Sequence, residues 1–515
     1  MNAAATPARQ QYLEIKAQHA DAIVWFRLGD FYEMFDDDAR VASAALRITL
    51  TSRAFGKDCK VPMCGVPAHA YARFLARLVR QGHRVALCEQ LTPPGKGLVE
   101  RQVVRVVTAG TLSEPELLRP TESNYLAAVT RRSGRYAIAH ADVSTGEFLV
   151  TETEDVAELI GELEALDPAE CLIDPSAALP ALPVRREGGD RLIWRKESGE
   201  ARLDRHLAGA SARLIDCEDR PAASAAAGAI LGYLAHTNRP LLDALRRLRP
   251  YALSDAVALD PGTRATLLGR TRPGSDGEMS LLGLLDHTVT PMGARLLARR
   301  LRNPIRNLTL LNDRLDAVAE LVADGERRAA LRAALHGLAD LQRLTVRVSQ
   351  ERASLENLRA LASSLEAVAR VRAALAGASA RDTTEAASEL DPAPDLIAAI
   401  RAAVAEPGTE RLIRPGFDCE IDALAERTSQ ARSRLAEIET VERERTGIRS
   451  LKVAYNSVFG YYIEVSKPNL SKIPPSYTRK QTLVNAERFV NAELLHWEAE
   501  LDRLRRTDGE LDPLE

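Results

Sequence analysis

Two apolar series that step alternately by three and four residues constrain this 515-residue chain more than any other feature. Ile421, Leu424, Thr428, Ala431, Leu435 and Ile438 form the first; Val490, Leu494, Trp497, Leu501 and Leu504 form the second. A mean spacing of about 3.5 residues keeps one stripe of a helix facing a partner, the seam of a coiled coil. Between the seams, "LKVAYNSVFGYYIEVSK" (451–467) alternates aromatic and β-branched residues as strands do. An antiparallel helix pair carrying a small β domain at its far end satisfies both patterns. The insert is also basic: residues 449–490 hold 7 Lys/Arg against 2 Asp/Glu. A positive tip on a helical arm suits contact with a polyanion, although a solvated basic face has the same composition.

The rest of the chain is too long for one core, so several domains are expected. A hydrophobic content of 45% and a charged content of 27% are those of a globular protein, and no apolar run reaches the roughly 18 residues of a membrane span. The start, "MNAAATPARQ", lacks the apolar region of a secretory signal. Cysteines at 59, 64, 88, 171, 217 and 419 do not fall at zinc-ligand spacing and read as free thiols. The net charge of −3 argues against indiscriminate coating of nucleic acid, but residues 1–115 carry 15 Lys/Arg against 11 Asp/Glu. Two basic zones on a near-neutral chain suggest two local polyanion contacts.

The first zone contains "FRLGDFYEMFDDDA" (26–39), with Phe26, Phe31, Tyr32 and Phe35 around a Gly29-Asp30 turn. A core explains aromatic residues but not Glu33 between them, so that carboxylate is either paired or used. Asp36 to Asp38 open a helix, where its dipole favours negative charge. "AIVWF" (22–26), "RITLTSR" (47–53), "RVALCEQL" and "VVRVVT" read as strands, and Gly82 caps a helix that begins near Tyr71. Next, "YLAAVT", "RYAIAHADV" and "GEFLVTET" read as strands joined by Ser133-Gly134 and Thr145-Gly146 turns, followed by a helix (155–166) and the strand "ECLIDP". That order is RNase H-like, and it raises a metal-dependent nuclease using Asp142 with Glu147 and Asp174. No spacing forces those carboxylates together. From about 225 the chain turns helical, and polar "GASARDTTEAASELDPAP" (377–394) reads as a mobile connection.

Seven segments in order resemble the bacterial MutS family of mismatch-recognition proteins. They are "DFYEMF" (30–35), "PMCGVPAHA" (62–70), "VVRVVTAGT" (103–111), "DVSTGEF" (142–148), "LDPGTRATL" (259–267), "DHTVTPMGARLL" (286–297) and "LKVAYNSVFGYYIEV" (451–465). The resemblance spans essentially the whole chain and implies a multidomain α/β plus all-α architecture. Its parts are a small mixed α/β mismatch-binding domain (1–115), an RNase H-like connector (116–245) and a helical lever core (246–410). An outgoing coiled-coil helix (411–448), a small β-rich clamp (449–490) and the start of the returning lever helix (491–515) complete it.

The resemblance further implies that Phe31 stacks on a mispaired base from the minor groove and that Glu33 hydrogen-bonds it, either as a carboxylate or as a protonated acid. A ring wedged between base steps costs least where pairing is already defective, so it discriminates by deformability. Arg53, Lys57, Lys60 and Arg105 are candidates for phosphate contact beside the wedge, and Lys467, Lys472, Arg479 and Lys480 on the clamp. The family's ATPase phosphate loop has no counterpart here: in "PPGKG" (93–97) Gln90 stands where the first Gly belongs and Gly97 where Ser or Thr does. The expectation is a DNA-binding portion that is not an enzyme, without a cofactor or metal; ATP and Mg belong to an ATPase domain missing from this chain. Expected partners are duplex DNA with mismatches or small loops, a MutL-type protein at the connector, and a second copy in a homodimer weakened without that domain. No membrane is expected, and the location is the bacterial cytoplasm at the nucleoid. A scaffold acting through the connector is the other alternative.

Overall fold

The computed structural model describes residues 6–55, 60–91, 99–184, 187–188, 191–194, 199–207, 220–268, 280–409, 411–456, 460–483 and 485–511. It divides into two compact units, Met1–Ala353 with Ser363–Ala393, and Ser354–Ala362 with Pro394–Glu515.

The first unit opens with helix α1 (Pro7–Gln18), strands β1 (Ile23–Leu28) and β2 (Phe31–Phe35), and helix α2 (Asp36–Leu46). Strands β3 (Thr51–Ala54) and β4 (Lys60–Pro67), helix α3 (Tyr71–Arg80), and strands β5 (Val85–Gln90) and β6 (Arg101–Val107) follow. One sheet forms in the order β3-β4-β2-β1-β5-β6, with only β1 and β5 parallel. Its two faces have separate covers. Trp25, Tyr32, Met34, Cys64 and Val66 pack beneath α2 and α3, while Val24, Phe26, Phe35 and Val61 pack beneath Tyr12 and Ile15 of α1. The three aspartates do start α2, and Asp38 also anchors α1 by accepting from Tyr12, Lys16 and the Val24 N–H. The strand expected over 47–53 shrinks to its last residues. Arg47 instead ends α2 in the left-handed conformation (φ 56°), and Ser43 bonds the Ile48 carbonyl, which turns the chain.

The second sheet contains β7 (Leu126–Arg132), β8 (Arg135–Asp142), β9 (Glu147–Thr153), β10 (Glu170–Ile173), β11 (Glu187–Gly188) and β12 (Arg249–Pro250), in the order β11-β10-β7-β8-β9-β12. β7 to β9 are antiparallel, and β10 returns parallel to β7 after α4 (Val156–Leu166). Behind them α5 (Gly199–His206) meets α6 (Pro221–Thr237), whose alanine-rich length lies on Leu126, Ala139 and Val150. His140 is buried between Tyr125 and Tyr251, and burial pushes its pKa down to about 3. Helices α7 (Pro261–Leu268), α8 (Leu281–Leu285), α9 (Pro291–Arg302), α10 (Leu308–Ala323), α11 (Gly325–Leu335) and α12 (Leu341–Ser349) follow, then α13 (Leu355–Ala374).

The stretch 377–394, expected as a mobile connection, contains the helix α14 (Arg381–Glu389). Glu320 accepts from the Ser379 and Ala380 N–H groups just before it, Arg381 pairs with Glu385 one turn on, and Ala387 and Leu390 pack against Val371 and Leu375. Local charge pairs and two apolar contacts hold a helix whose composition alone reads as coil.

Two buried arginines hold the segment between the first two sheets. Arg343 donates to the Arg119 and Glu122 carbonyls and to Ser144 Oγ. Arg295 donates to the Pro120 carbonyl and makes a two-pronged pair with Asp340.

In the second unit, α15 (Pro394–Ala403) precedes α16 (Cys419–Thr446), strands β13 (Lys452–Asn456), β14 (Gly460–Ser466), β15 (Thr478–Thr482) and β16 (Ala486–Val490), and α17 (Ala492–Leu511). The strands form one antiparallel sheet, β13-β14-β16-β15. Leu424, Ala431, Leu435 and Ile438 pack against Leu494, Leu501 and Leu504, so both seams are real. Val490 belongs to β16 rather than to the second helix, because Asn491 starts that helix by accepting the Leu494 N–H. The first seam continues by one more step to a buried carboxylate, Glu442. It accepts from Asn491 at 2.6 Å, Tyr477 at 2.8 Å and Arg445 at 2.8 Å. One side chain thereby ties both helices to the sheet.

Candidate nucleic-acid interface

Site geometry begins with the β1–β2 hairpin. Leu28 pairs with Phe31 across the two-residue Gly29-Asp30 turn, and Gly29 adopts φ 59° at its first position. Side chains two apart share a sheet face, so Phe31, Glu33 and Phe35 all point to the α1 side. The α1 cover reaches Phe35, which is fully buried against Tyr12 and Phe55. It stops short of Phe31, whose ring is 47% exposed. Tyr32 and Met34 face the other core, and Tyr32 donates to Glu89. Burial first, then this contact, raises the phenol's pKa.

Glu33 lies between the exposed ring and the covered one. Gly65 is its cross-strand partner, and a Cβ there would meet Glu33 Cγ at 3.5 Å and the Tyr32 carbonyl at 3.3 Å. That space lets the carboxylate lie over β4 and pair with Arg53 on β3. The Glu33 side chain is 13% exposed and the Arg53 side chain 38%. Solvent reaches the pair at its Arg53 end and screens it there, so it neutralises the carboxylate without locking it. Arg53 also lies near the Phe55 ring.

The other candidate cations of the first domain have different positions. Lys60 is exposed at the start of β4. Lys57 lies outside the described residues. Arg105 is committed inside the domain: its side chain is 11% exposed, pairs with Glu114 and donates to the Tyr71 hydroxyl. Burial opposes both charges there, yet their attraction outweighs it, raising the Arg105 pKa and lowering that of Glu114. Arg105 therefore has its charge satisfied within the protein rather than held out beside Phe31.

In the β13–β16 region of the second unit, Lys467, Lys472, Arg479 and Lys480 are all exposed. Arg479 and Lys480 lie on β15, an edge strand with an irregular register between Arg479 and Gln481. Arg479 approaches Glu487 at 3.7 Å, a contact too open to hold it.

Asp142 and Glu147 are cross-strand partners on β8 and β9, but Asp174 lies apart after β10, and each carboxylate has its own donors. Asp142 accepts from the Asn124 N–H and from Ser144, Asp174 from Thr130 and Ser176 with Arg132 alongside, and Glu147 from Tyr125 and Arg299. Among the described residues no cluster of His, Cys, Asp or Glu could hold a metal ion. Those carboxylates are structural acceptors, and the nuclease alternative finds no support in them.

Three domain profiles of one family match the chain in order: MutS domain I over residues 6–116, domain II over 124–246 and domain III over 263–494. The chain belongs to the MutS family. It is 41% identical over 505 residues to the DNA mismatch repair protein MutS of Dehalococcoides mccartyi (strain CBDB1), covering 96% of this chain and 59% of that protein. The corresponding protein of Myxococcus xanthus is 42% identical over 518 residues, with 97% and 58% covered. That of Symbiobacterium thermophilum is 40% identical over 512 residues, with 96% and 58% covered. The chain thus spans a little under three-fifths of the length of these MutS relatives. Among the described residues no helix is long and apolar enough to cross a membrane.

The sequence reading missed two participants. Arg53 was legible as a cation but not as the partner of Glu33, twenty residues away. Glu442 was legible as the next step of the first seam, where a charge is out of place unless partners meet it.

Proposed function

We propose that this chain recognises mispaired or unpaired bases in duplex DNA at the start of mismatch repair. Phe31 enters between base steps from the minor groove, Glu33 accepts a hydrogen bond from the displaced base, and the clamp cations Lys467, Lys472, Arg479 and Lys480 hold the backbone. Lys60 adds a phosphate contact beside the wedge. The observation that carries this reading is the half-exposed Phe31 ring at the open rim of an otherwise covered sheet face, two residues from a neutralised carboxylate. A ring with about half its surface open is free to meet a base, and stacking on that base compensates for the unstacking it causes. The names of the relatives, DNA mismatch repair proteins, agree with it. The chain acts here by binding, with ATP hydrolysis assigned to parts of the longer relatives that it does not span. A MutL-type partner at the connector and pairing of two copies around DNA belong to the same proposal.

The test compares affinity for a matched duplex with that for the same duplex carrying one G·T pair, by fluorescence anisotropy, in the wild-type chain and in Phe31→Ala. The expected result is a preference for the G·T duplex that disappears in a folded Phe31→Ala chain. Undiminished preference in that variant removes the wedge from the reading.

A further inference from the structure

We propose that Arg53 changes partner when a mispaired base is bound: it holds Glu33 in the free protein and on matched duplex, and passes to a backbone phosphate when Glu33 takes the base. This rests on the assignment of Phe31 and Glu33 to that base. A bare carboxylate at the rim would repel the phosphates that any duplex brings with it. Arg53 cancels that charge in advance. The cancellation has a geometric cost, because Glu33 lies low over Gly65 with 13% of its side chain exposed.

A carboxylate so covered meets a base beside Phe31 only by rotating up towards the ring, which draws it away from Arg53. The guanidinium is then left at 38% exposure on an edge strand with no other acidic partner among the described residues. Its cationic surroundings oppose leaving it unpaired: Arg101 is close enough to feel its charge, and Lys60 stands exposed on the adjoining strand. A phosphate oxygen is the group a duplex offers to a freed guanidinium. Arg53 is in this sense a positioning residue for Glu33, and its release makes one phosphate contact conditional on the mismatch.

The exchange is read in salt dependence, because each phosphate neutralised by a cation steepens the slope of log K against log[salt] by about 0.9. Affinities of the full chain for matched and G·T duplexes are measured from 50 to 200 mM salt. Arg53→Gln is expected to flatten the slope on G·T duplex by about 0.9, roughly a threefold change across that range. On matched duplex it is expected to lower affinity by baring Glu33 while leaving the slope unaltered, since no phosphate contact is lost there. Glu33→Gln, which frees Arg53 permanently, is expected to steepen the matched slope by about the same amount. Glu33→Gln placed in the Arg53→Gln background is expected to change neither slope, and Arg53→Lys to restore the wild-type pattern. Equal flattening on both duplexes makes Arg53 an ordinary phosphate contact and overturns the exchange. No flattening on either makes its pair with Glu33 purely structural and overturns it too. Mismatch preference that survives Phe31→Ala is a separate outcome: it removes the wedge reading whatever the slopes do.

Discussion

The rim at Phe31 and the edge strand at Arg479 both expose side chains proposed above to meet DNA, yet they are built to opposite rules. At Phe31 the charge is cancelled internally: Arg53 meets Glu33, and Arg105 is sunk against Glu114. What remains outermost is an apolar ring. At β15 the cations stand in solvent, and the contact that Arg479 makes with Glu487 is loose. A surface that must tell one duplex site from another cannot rely on phosphates, which every site shares. A surface that must hold any duplex needs little else. Arg479 and Lys480 also place charge along the open edge of β15, which disfavours pairing with another chain.

The clamp offers the largest effect. Glu442→Ala removes the acceptor shared by Asn491, Tyr477 and Arg445, and is expected to destabilise the β domain by about 3 kcal/mol. Hydrogen exchange over residues 449–491 in the full chain reads this directly. DNA affinity should fall with it while the ratio of mismatched to matched binding stays put. Next, changing Lys467, Lys472, Arg479 and Lys480 together to Gln should flatten the salt slope by roughly 3–4, about a hundredfold less gain in affinity between 200 and 50 mM. The ratio should again be unaffected; a lost ratio with an intact slope breaks the comparison.

Phe31→Ala should do the reverse. It should cost about 1–3 kcal/mol of discrimination, read as the ratio of dissociation constants, with the salt slope on matched duplex unchanged. The smallest effect is expected at Lys60→Gln: about a threefold smaller gain in affinity between 200 and 50 mM salt, equal on both duplexes. An unequal change there would mean that the rim at Phe31 also reads through Lys60.

The clamp and its arm were legible because their constraint is periodic: the seams repeat often enough for the partner face to follow from spacing alone. The β2 strand was hidden by having a core on each side. Its aromatics alternate between two covers, leaving Glu33 as the one polar mark in a stretch that reads simply as apolar. α14 was hidden for the opposite reason, since a charge pair and the Glu320 bonds to the turn just before it hold it with few apolar residues. The fates of Arg53 and Arg105 were not legible, because choosing Glu33 or Glu114 as partner depends on which strands the sheet brings together. Asp142 showed itself as a carboxylate on a strand; its acceptor role appears only with the Asn124 N–H and Ser144 in place.

That bond to Asn124, with Arg343 and Arg295 gripping the carbonyls of residues 119, 120 and 122, has a mechanical consequence. The strand of chain joining the first sheet to the second has no slack. A slack tether would let the first domain tilt under load and spend that work as loop entropy. A tether held at four points, by the buried side chains of Arg295, Arg343 and Asp142, gives up that freedom in advance and ties the end of the first domain to α9 and α12, where Arg295 and Arg343 are rooted.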